Sequence, residues 1–156
     1  MSKEITCFFT GHRDVPHTRY DDIYNKTLDT IRRLYTRGYR IFVCGGAVGY
    51  DTLAARAVME LRDEFPDTQL VLCLPCRDQD KYFSEPQKRE YERILNECDG
   101  YEVLYDRYVR GCMHARNRKM ADMSSACVAF CEKETGGSAY TVHYAISRCV
   151  DVYFVK

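Results

Sequence analysis

The sequence predicts an α/β protein with a three-layer, Rossmann-like fold, in which a mostly parallel sheet of about six strands carries helices on both faces. Three observations lead to this prediction. Short apolar runs alternate with longer segments of helical periodicity along the whole chain. The 156 residues suit one domain, 1–156, at roughly 100–200 residues per domain. Glycine-rich, polar segments follow several predicted strands, as they do where such sheets bind ligands.

Six short runs have the composition of strands, since they are apolar or rich in β-branched and aromatic residues. The first ends at Thr10-Gly11, the second precedes a glycine cluster, and the third is closed by Pro75. In chain order the predicted strands are Ile5–Phe9, Ile41–Val43, Gln69–Leu74, Tyr101–Tyr105, Ser125–Cys131 and Val150–Val155. Strands that alternate with helices imply βαβ units and parallel pairing.

Five longer segments lie between these strands and carry apolar residues at helical spacing. Gly38 follows the first of them as a C′ residue, and Pro66 lies just beyond the second. The third is polar, with a thin apolar stripe that includes Tyr91 and Ile94. The predicted helices are Thr18–Arg37, Thr52–Phe65, Glu85–Cys98, Cys112–Met123 and Ser138–Arg148.

Charge and composition argue against several classes of protein. Lys and Arg together number 23, as do Asp and Glu, whereas proteins that coat nucleic acid usually carry a basic excess. No stretch approaches the ~20 apolar residues of a membrane helix, so we expect no membrane partner. The chain enters a strand-like segment directly after Met1–Glu4 without a signal peptide, which predicts a cytoplasmic location.

Unusual residues concentrate in three loops that follow strands, and hence at one edge of the predicted sheet. The loops contain Thr10, Gly11, His12 and Arg13 after the first strand, Gly45–Asp51 after the second, and Gly136, Gly137 and Ser138 after the fifth. The loops at the opposite edge are plain turns. This asymmetry predicts a binding site beyond the carboxyl ends of the strands.

The Gly45–Asp51 loop leads from a strand into a helix. Glycines let backbone approach a ligand closely, and the first turn of the helix offers unpaired N–H groups to an anion. The loop is neither a P-loop nor the G-x-G-x-x-G dinucleotide fingerprint. A tight turn with Asp51 as a simple N-cap explains the residues equally well, and the sequence leaves both interpretations open.

The Gly136-Gly137 loop repeats this arrangement, with Ser138 as the predicted cap and Thr141 one turn inside the helix. Two helix N-termini directed at one cleft would favour a phosphate or pyrophosphate, and Arg13 and Arg116 would donate charge-assisted hydrogen bonds to it.

Three of these residues also have structural interpretations. Arg116 has the basic neighbours Arg110, Arg118 and Lys119, which is typical of a solvated helix face. Asn117 is unfavourable in mid-helix and is expected to have a partner. His12 has two interpretations. It donates a hydrogen bond to a ligand, or it is a loop histidine whose hydrogen bonds are made within the protein, as is usual for a lone histidine.

The nine cysteines are interpreted as free thiols in a chain without an export signal. Cys73, Cys76, Cys112 and His114 are residue types that bind zinc or, as C-x-x-C, carry redox chemistry. However, Cys112 and His114 are too close in sequence to form a good second pair of zinc ligands. Cysteine within a buried strand packs as a small hydrophobe. We therefore predict no metal site and no cofactor.

Five ordered motifs give the chain a family resemblance. They are T-G-H-R, C-G-G-A-V-G-Y-D, L-P-C-R-D-Q-D-K-Y, R-N-R-K-M-A-D-M-S and T-G-G-S-A-Y-T-V-H-Y-A. With them the chain resembles a YpsA-type member of the SLOG superfamily, the Rossmann-like group that also includes DprA and the Lonely Guy proteins. The resemblance extends from Cys7 to Val155.

The resemblance implies a pocket for a nucleotide or nucleotide derivative related to ADP-ribose or NAD. The family's glycine-rich loop and acidic residue correspond to Gly45, Gly46, Gly49 and Asp51. Related proteins are often dimers, which by analogy suggests a homo-oligomer.

Three functions follow from this resemblance. The first is binding or sensing of a nucleotide-like small molecule, with Asp51 accepting from ribose hydroxyls. The second is a phosphoribohydrolase similar to Lonely Guy enzymes, with Asp51 stabilising a cationic sugar; this chain lacks the leading proline and the spaced glutamate of their P-G-G-x-G-T-x-x-E motif. The third is a single-stranded DNA module like DprA, with a strip formed by Arg107, Arg110, Arg116, Arg118 and Lys119. Neutral net charge weighs against nucleic acid as a partner.

Overall fold

The computed structural model describes residues 2–156, which form a six-stranded sheet in which every pairing is parallel. The strands are β1 (Thr6–Gly11), β2 (Ile41–Cys44), β3 (Gln69–Cys76), β4 (Gly100–Tyr105), β5 (Ala126–Phe130) and β6 (Asp151–Phe154). The helices are α1 (Tyr20–Thr36), α2 (Tyr50–Glu64), α3 (Glu85–Glu97), α4 (Cys112–Asp122) and α5 (Gly137–Ser147). The predicted α/β, Rossmann-like arrangement is confirmed.

The first strand lies near the centre of the sheet. The strand order is β4-β3-β2-β1-β5-β6, so the chain builds outward from β1 to β4 and then crosses to the other side of β1. Thr10 pairs with Ala129 and Gly11 with Phe130, so β1 and β5 end side by side. Ligands of open α/β sheets bind beyond the carboxyl ends of the strands where the order reverses, which here is between β1 and β5.

Helices cover both faces of the sheet. Helices α1, α2 and α3 pack on one face, and α4 and α5 pack on the other. Consecutive side chains of β1 alternate between the faces, since Phe9 belongs to the core under α1–α3 and Phe8 to the core under α4 and α5. The inner strands are buried on both faces, which explains their nearly continuous apolar sequences.

Element boundaries differ from the predicted ones by a few residues, for local reasons. Strand β3 continues through Pro75 to Cys76 because its pairing with β2 ends at Leu72, so proline's missing N–H leaves no gap in that ladder. Helix α3 begins with a capping box, in which Ser84 Oγ accepts from the Gln87 N–H at 3.3 Å and Gln87 Oε1 accepts from the Ser84 N–H at 2.8 Å.

A candidate ligand cleft at the reversal of strand order

A cleft of about 580 Å³ opens beyond the ends of β1 and β5. We call it the switch-point cleft. The structure brings most of the predicted site residues to its lining: Thr10, Gly11, His12, Arg13, Asp51, Arg116, Asn117, Gly136, Gly137 and Ser138. Four others do not line it, namely Gly45, Gly46, Gly49 and Thr141.

His12 fixes three loops of the cleft relative to one another. Its N–H donates to Phe130 O at 3.2 Å, and its carbonyl accepts from the Tyr50 N–H at 3.0 Å. Its ring lies edge-on to Phe130, and Nε2 accepts from the Glu132 N–H at 2.8 Å. Burial, together with the nearby charge of Lys133, lowers the pKa of His12. His12 is therefore a neutral, satisfied loop histidine, which was one of the two interpretations of the sequence.

The glycines of the β2–α2 loop lie in close contact with other parts of the protein. A Cβ on Gly49 would lie 2.1 Å from Arg13 O, and Gly49 has a φ of 83°. A Cβ on Gly46 would lie 2.7 Å from the Leu74 side chain. The first N–H of α2, that of Tyr50, is already bonded to His12 O. Close packing of protein against protein thus accounts for glycine at these positions.

Arg116 is buried, with 4% of its surface exposed, so its interpretation as part of a solvated helix face is wrong. Its guanidinium donates to Gly45 O, and its Nε donates to Asn117 Oδ1 at 2.7 Å. Burial lowers the pKa of Arg116. A sequence signal exists for this burial, because Cys112, Arg116 and Met120 recur every four residues and form one buried stripe of α4.

Because Arg116 is buried, the predicted basic strip is interrupted at its centre. Lys119 lies 2.8 Å from Glu102 in an ion pair, and Arg118 donates to the Tyr140 hydroxyl at 3.2 Å. Arg107 and Arg110 remain exposed beyond the end of β4.

Asp51 lies between the Gly45 loop and the cleft and is 7% exposed. It is not the N-cap of α2, which is Gly49, so that interpretation is wrong. Its Oδ2 accepts from the Ala47 N–H at 3.1 Å, and no donor within residues 2–156 reaches Oδ1. Burial raises the pKa of Asp51, and the charges of Arg116 and Arg13 oppose that rise. The carboxylate is thus placed to accept a hydrogen bond from a ligand in the cleft.

The N-terminus of α5 is open. The N-cap is Gly136, with a φ of 103°, and no side chain caps the helix, so the prediction that Ser138 is the cap is wrong. A Cβ on Gly136 or Gly137 would have nothing within 4 Å. Thr141 is fully buried and donates to Gly137 O at 2.9 Å.

The first turn of α5 consequently offers free donors to the cleft. The first bond of the helix runs from the Tyr140 N–H to Gly136 O at 2.9 Å. No acceptor among the described residues receives the N–H groups of Gly137, Ser138 or Ala139. An α-helix leaves such groups unpaired at its N-terminus, and together with the helix dipole they attract anions.

Sequence reasoning missed five polar residues of the cleft, namely Asp14, His114, Glu132, Lys133 and Thr135. Lys133 belongs to the same loop as Gly136, so its position after β5 is a signal that could have identified it. His114 stacks edge-on against Tyr140 with ring centroids 4.5 Å apart, a contact between α4 and α5 that the sequence does not reveal.

A second cavity of about 360 Å³ lies between α2 and α3. We call it the side pocket. It shares Arg13, Asp14 and Asp51 with the switch-point cleft, and Gly46 and Gly49 line it. The two cavities therefore adjoin at the loop that follows β1.

Residues 2–156 contain no group of three or more His, Cys, Asp or Glu side chains arranged to hold a metal ion. Cys73, Cys76 and Cys112 are buried free thiols, and burial raises the pKa of Cys73 to about 11. In the same range, no helix has both the length and the apolar character needed to cross a bilayer.

With this geometry established, comparison with known proteins identifies the family. The YpsA model, described as the YspA SLOG family, matches residues 8–151. The chain belongs to the YpsA family of SLOG proteins. It is 33% identical over 135 residues to the SPbeta prophage-derived protein YoqJ of Bacillus subtilis, covering 78% of each chain. It is 27% identical over 103 residues to UPF0398 protein YpsA of Bacillus subtilis, covering 65% of this chain and 57% of that protein.

Two solved structures of DNA processing protein A share the fold of this YpsA-family chain. The protein from Streptococcus pneumoniae gives a TM-score of 0.70 at 18% identity, covering 97% of this chain and 50% of that one. The protein from Helicobacter pylori, whose structure concerns its single-stranded DNA binding mode, gives 0.69 at 18%, covering 97% and 65%. The chain thus spans half to two thirds of these neighbours, and the likeness concerns fold.

Proposed function

We propose that this YpsA-family protein binds a nucleotide or nucleotide derivative of the ADP-ribose or NAD type in the switch-point cleft. One observation carries the proposal. The glycines at the start of α5 face open space, whereas Gly46 and Gly49 of the β2–α2 loop face protein atoms. The phosphate is therefore assigned to the first turn of α5, rather than shared equally between two glycine loops.

Charge around the cleft supports an anionic ligand. The side chains of Arg13 and Lys133 line the cleft and, within residues 2–156, make no hydrogen bond or ion pair. Both residues lie on loops, so their side chains can adjust to the position of a bound phosphate. Asp51 supplies the opposite charge at the inner end and is assigned to the ribose hydroxyls, since carboxylates bind ribose in dinucleotide sites.

Single-stranded DNA binding is the second candidate function. The observation that favours it is the fold shared with the Helicobacter pylori protein. Here Arg107 and Arg110 are the exposed members of the predicted strip, and the buried Arg116 is removed from it. Such binding would weaken with salt, with a log–log slope of about −0.7 per phosphate contact.

A thermal-shift panel tests these functions on the purified protein. The ligands are AMP, ADP-ribose, NAD and an unstructured oligothymidylate, each over a wide concentration range. A ligand at 100 times its Kd should add ~2.7 kcal/mol to the free energy of unfolding. Stabilisation by the small nucleotides supports the cleft proposal, and stabilisation by the oligonucleotide alone supports the DNA module. No stabilisation by any nucleotide at millimolar concentration would contradict the cleft proposal.

The same samples test for catalysis. A phosphoribohydrolase similar to Lonely Guy enzymes would release adenine from AMP, and the Asp51→Asn variant would abolish that release. Intact AMP and intact related nucleotides after prolonged incubation with folded protein would count against the phosphoribohydrolase.

A further inference from the structure

We propose that the side pocket receives the planar, uncharged heterocycle of the same ligand, so that the ligand spans two adjoining cavities. This inference rests on the proposed function and adds to it the position and chemistry of the base. The side pocket holds none of the residues of the open α5 terminus, so it constitutes a separate observation.

The inner wall of the side pocket is apolar. It reaches the sheet at Leu72 and is bounded by Leu53 and Ala55 of α2 and Ile94 of α3. These four side chains are at most 5% exposed and belong to one core cluster. A cavity that penetrates a packed core in this way favours an apolar or aromatic occupant, since a polar one would lose its hydrogen bonds to water.

Aromatic residues line the wall formed by α3 and the segment just before it. Phe83 and Tyr91 both line the pocket, with ring centroids 5.6 Å apart and nearly perpendicular planes. Edge-to-face pairs of this kind leave ring surfaces available to a third ring. Stacking of a nucleobase on an aromatic side chain contributes about 1–3 kcal/mol.

Arg56 and Glu90, the charged residues on the outer side of the pocket, are already paired with each other. Arg56 donates from Nε to Glu90 and from a terminal nitrogen to the Tyr20 hydroxyl at 2.9 Å. Glu90 also accepts from Arg93 Nε at 2.6 Å. This network joins α1, α2 and α3 across the outer side of the pocket, so the pocket offers no free charge there. A neutral ring fits such a site, and a charged one does not.

Polar residues lie at the rim that the side pocket shares with the switch-point cleft. Arg13, Asp14 and Asp51 line both cavities, and the Oδ1 oxygen of Asp51 has no protein donor among residues 2–156. A ligand with its phosphate at α5 and its base in the side pocket would carry its ribose past this rim. The cavities measure about 360 Å³ and 580 Å³, within the range of about 300–1,000 Å³ typical of ligand pockets.

The inference is tested with two ligands and with substitutions at Val48. AMP and ribose 5-phosphate share the sugar and the phosphate and differ only in the base. Val48 is half-buried and lines the side pocket but not the cleft, so Val48→Phe fills the pocket from its mouth while Val48→Ala enlarges it. The Kd of both ligands is measured by calorimetry for each protein. Ala55→Met, which fills the pocket from α2, replaces Val48→Phe if that variant does not fold.

The inference predicts that the unmodified protein binds AMP at least about tenfold more tightly than ribose 5-phosphate. Val48→Phe should remove this difference by weakening AMP alone, and Val48→Ala should keep it. Equal Kd values for the two ligands, or an AMP Kd that Val48→Phe leaves unchanged, would overturn the inference while leaving the cleft proposal intact. Failure of both ligands to bind the unmodified protein would overturn both.

Discussion

The imidazole of His12 and the backbone of Glu132 are joined across the reversal of strand order, with the Glu132 N–H donating to Nε2 at 2.8 Å. This bond connects the loop after β1 to the loop after β5, and the His12 carbonyl connects the first of these to α2. The edges of the cleft are thus set by the protein's own hydrogen bonds. A site held in this way is preorganised, and a ligand does not have to order it.

The His12 contact predicts a pH dependence of stability. Burial lowers the pKa of His12, so the folded state binds fewer protons than the unfolded state. The stability contributed by this contact is fully present above the unfolded-state pKa of ~6.5 and is lost as pH falls through the lowered folded-state pKa. In His12→Gln, an amide oxygen accepts the same N–H without titrating, so its Tm should fall less between pH 7 and pH 5. Exposed His143, changed to Gln, is the control, and equal slopes for His12→Gln and the unmodified protein would refute the assignment.

Two glycines with positive φ should differ in how well they tolerate a side chain. Gly49 and Gly111 have φ values of 83° and 82°, but a Cβ on Gly49 would meet Arg13 O at 2.1 Å whereas one on Gly111 would meet nothing within 4 Å. Gly111→Ala should therefore cost only about 1–2 kcal/mol, the usual penalty of a left-handed residue. Gly49→Ala should cost well beyond that or prevent folding, because the ψ of −126° at Gly49 lies outside the left-handed α region and the Arg13 backbone must also move. Urea denaturation of the two variants measures the difference, and similar losses would contradict the close approach of the β1 loop.

Arg116 and Asp51 should depend on each other energetically. Arg116→Met removes the donor to Gly45 O and one of the two charges that oppose the raised pKa of Asp51. We expect a loss of about 1.5–3 kcal/mol, the usual contribution of a hydrogen bond made by a charged group. Adding Asp51→Asn should recover part of the loss, giving a coupling energy of about 0.5–3 kcal/mol in a double-mutant cycle. Strict additivity would show that the two side chains act independently.

Much of the fold could be predicted because its signals are local. Apolar periodicity within each segment identified the six strands and five helices, and the alternation of the two implied a parallel sheet. The boundary difference at β3 arises from a neighbour in space. Pro75 is tolerated because β2 has already ended there, and no residue near Pro75 in sequence carries that information.

The site was harder to predict, because glycine has the same sequence signature whether it faces a ligand or the protein. Gly49 is packed against Arg13, which lies 36 positions earlier in the chain, and Gly137 faces open space. Only the three-dimensional packing distinguishes the two. The solvated-face interpretation of Arg116 failed for a related reason, since Arg118 and Lys119, its basic neighbours on α4, lie on more exposed sides of that helix.

Ser138 gives the most direct measurement of the central claim, that a phosphate binds at the first turn of α5. Ser138→Asp adds a negative charge at a helix N-terminus, which should stabilise the free protein by about 0.3–1 kcal/mol. The same charge would repel a bound phosphate. Ser138→Asn is of equal size and uncharged, so it serves as the control.

We predict that Ser138→Asp weakens the Kd for AMP at least about tenfold, or 1.4 kcal/mol, while the Tm of the free protein stays the same or rises. Ser138→Asn should remain close to the unmodified protein in both quantities. Calorimetric titration with AMP and thermal unfolding of the same samples provide the two numbers. An AMP Kd that is unchanged in folded Ser138→Asp would show that no phosphate lies at α5, and the account of the cleft would be wrong.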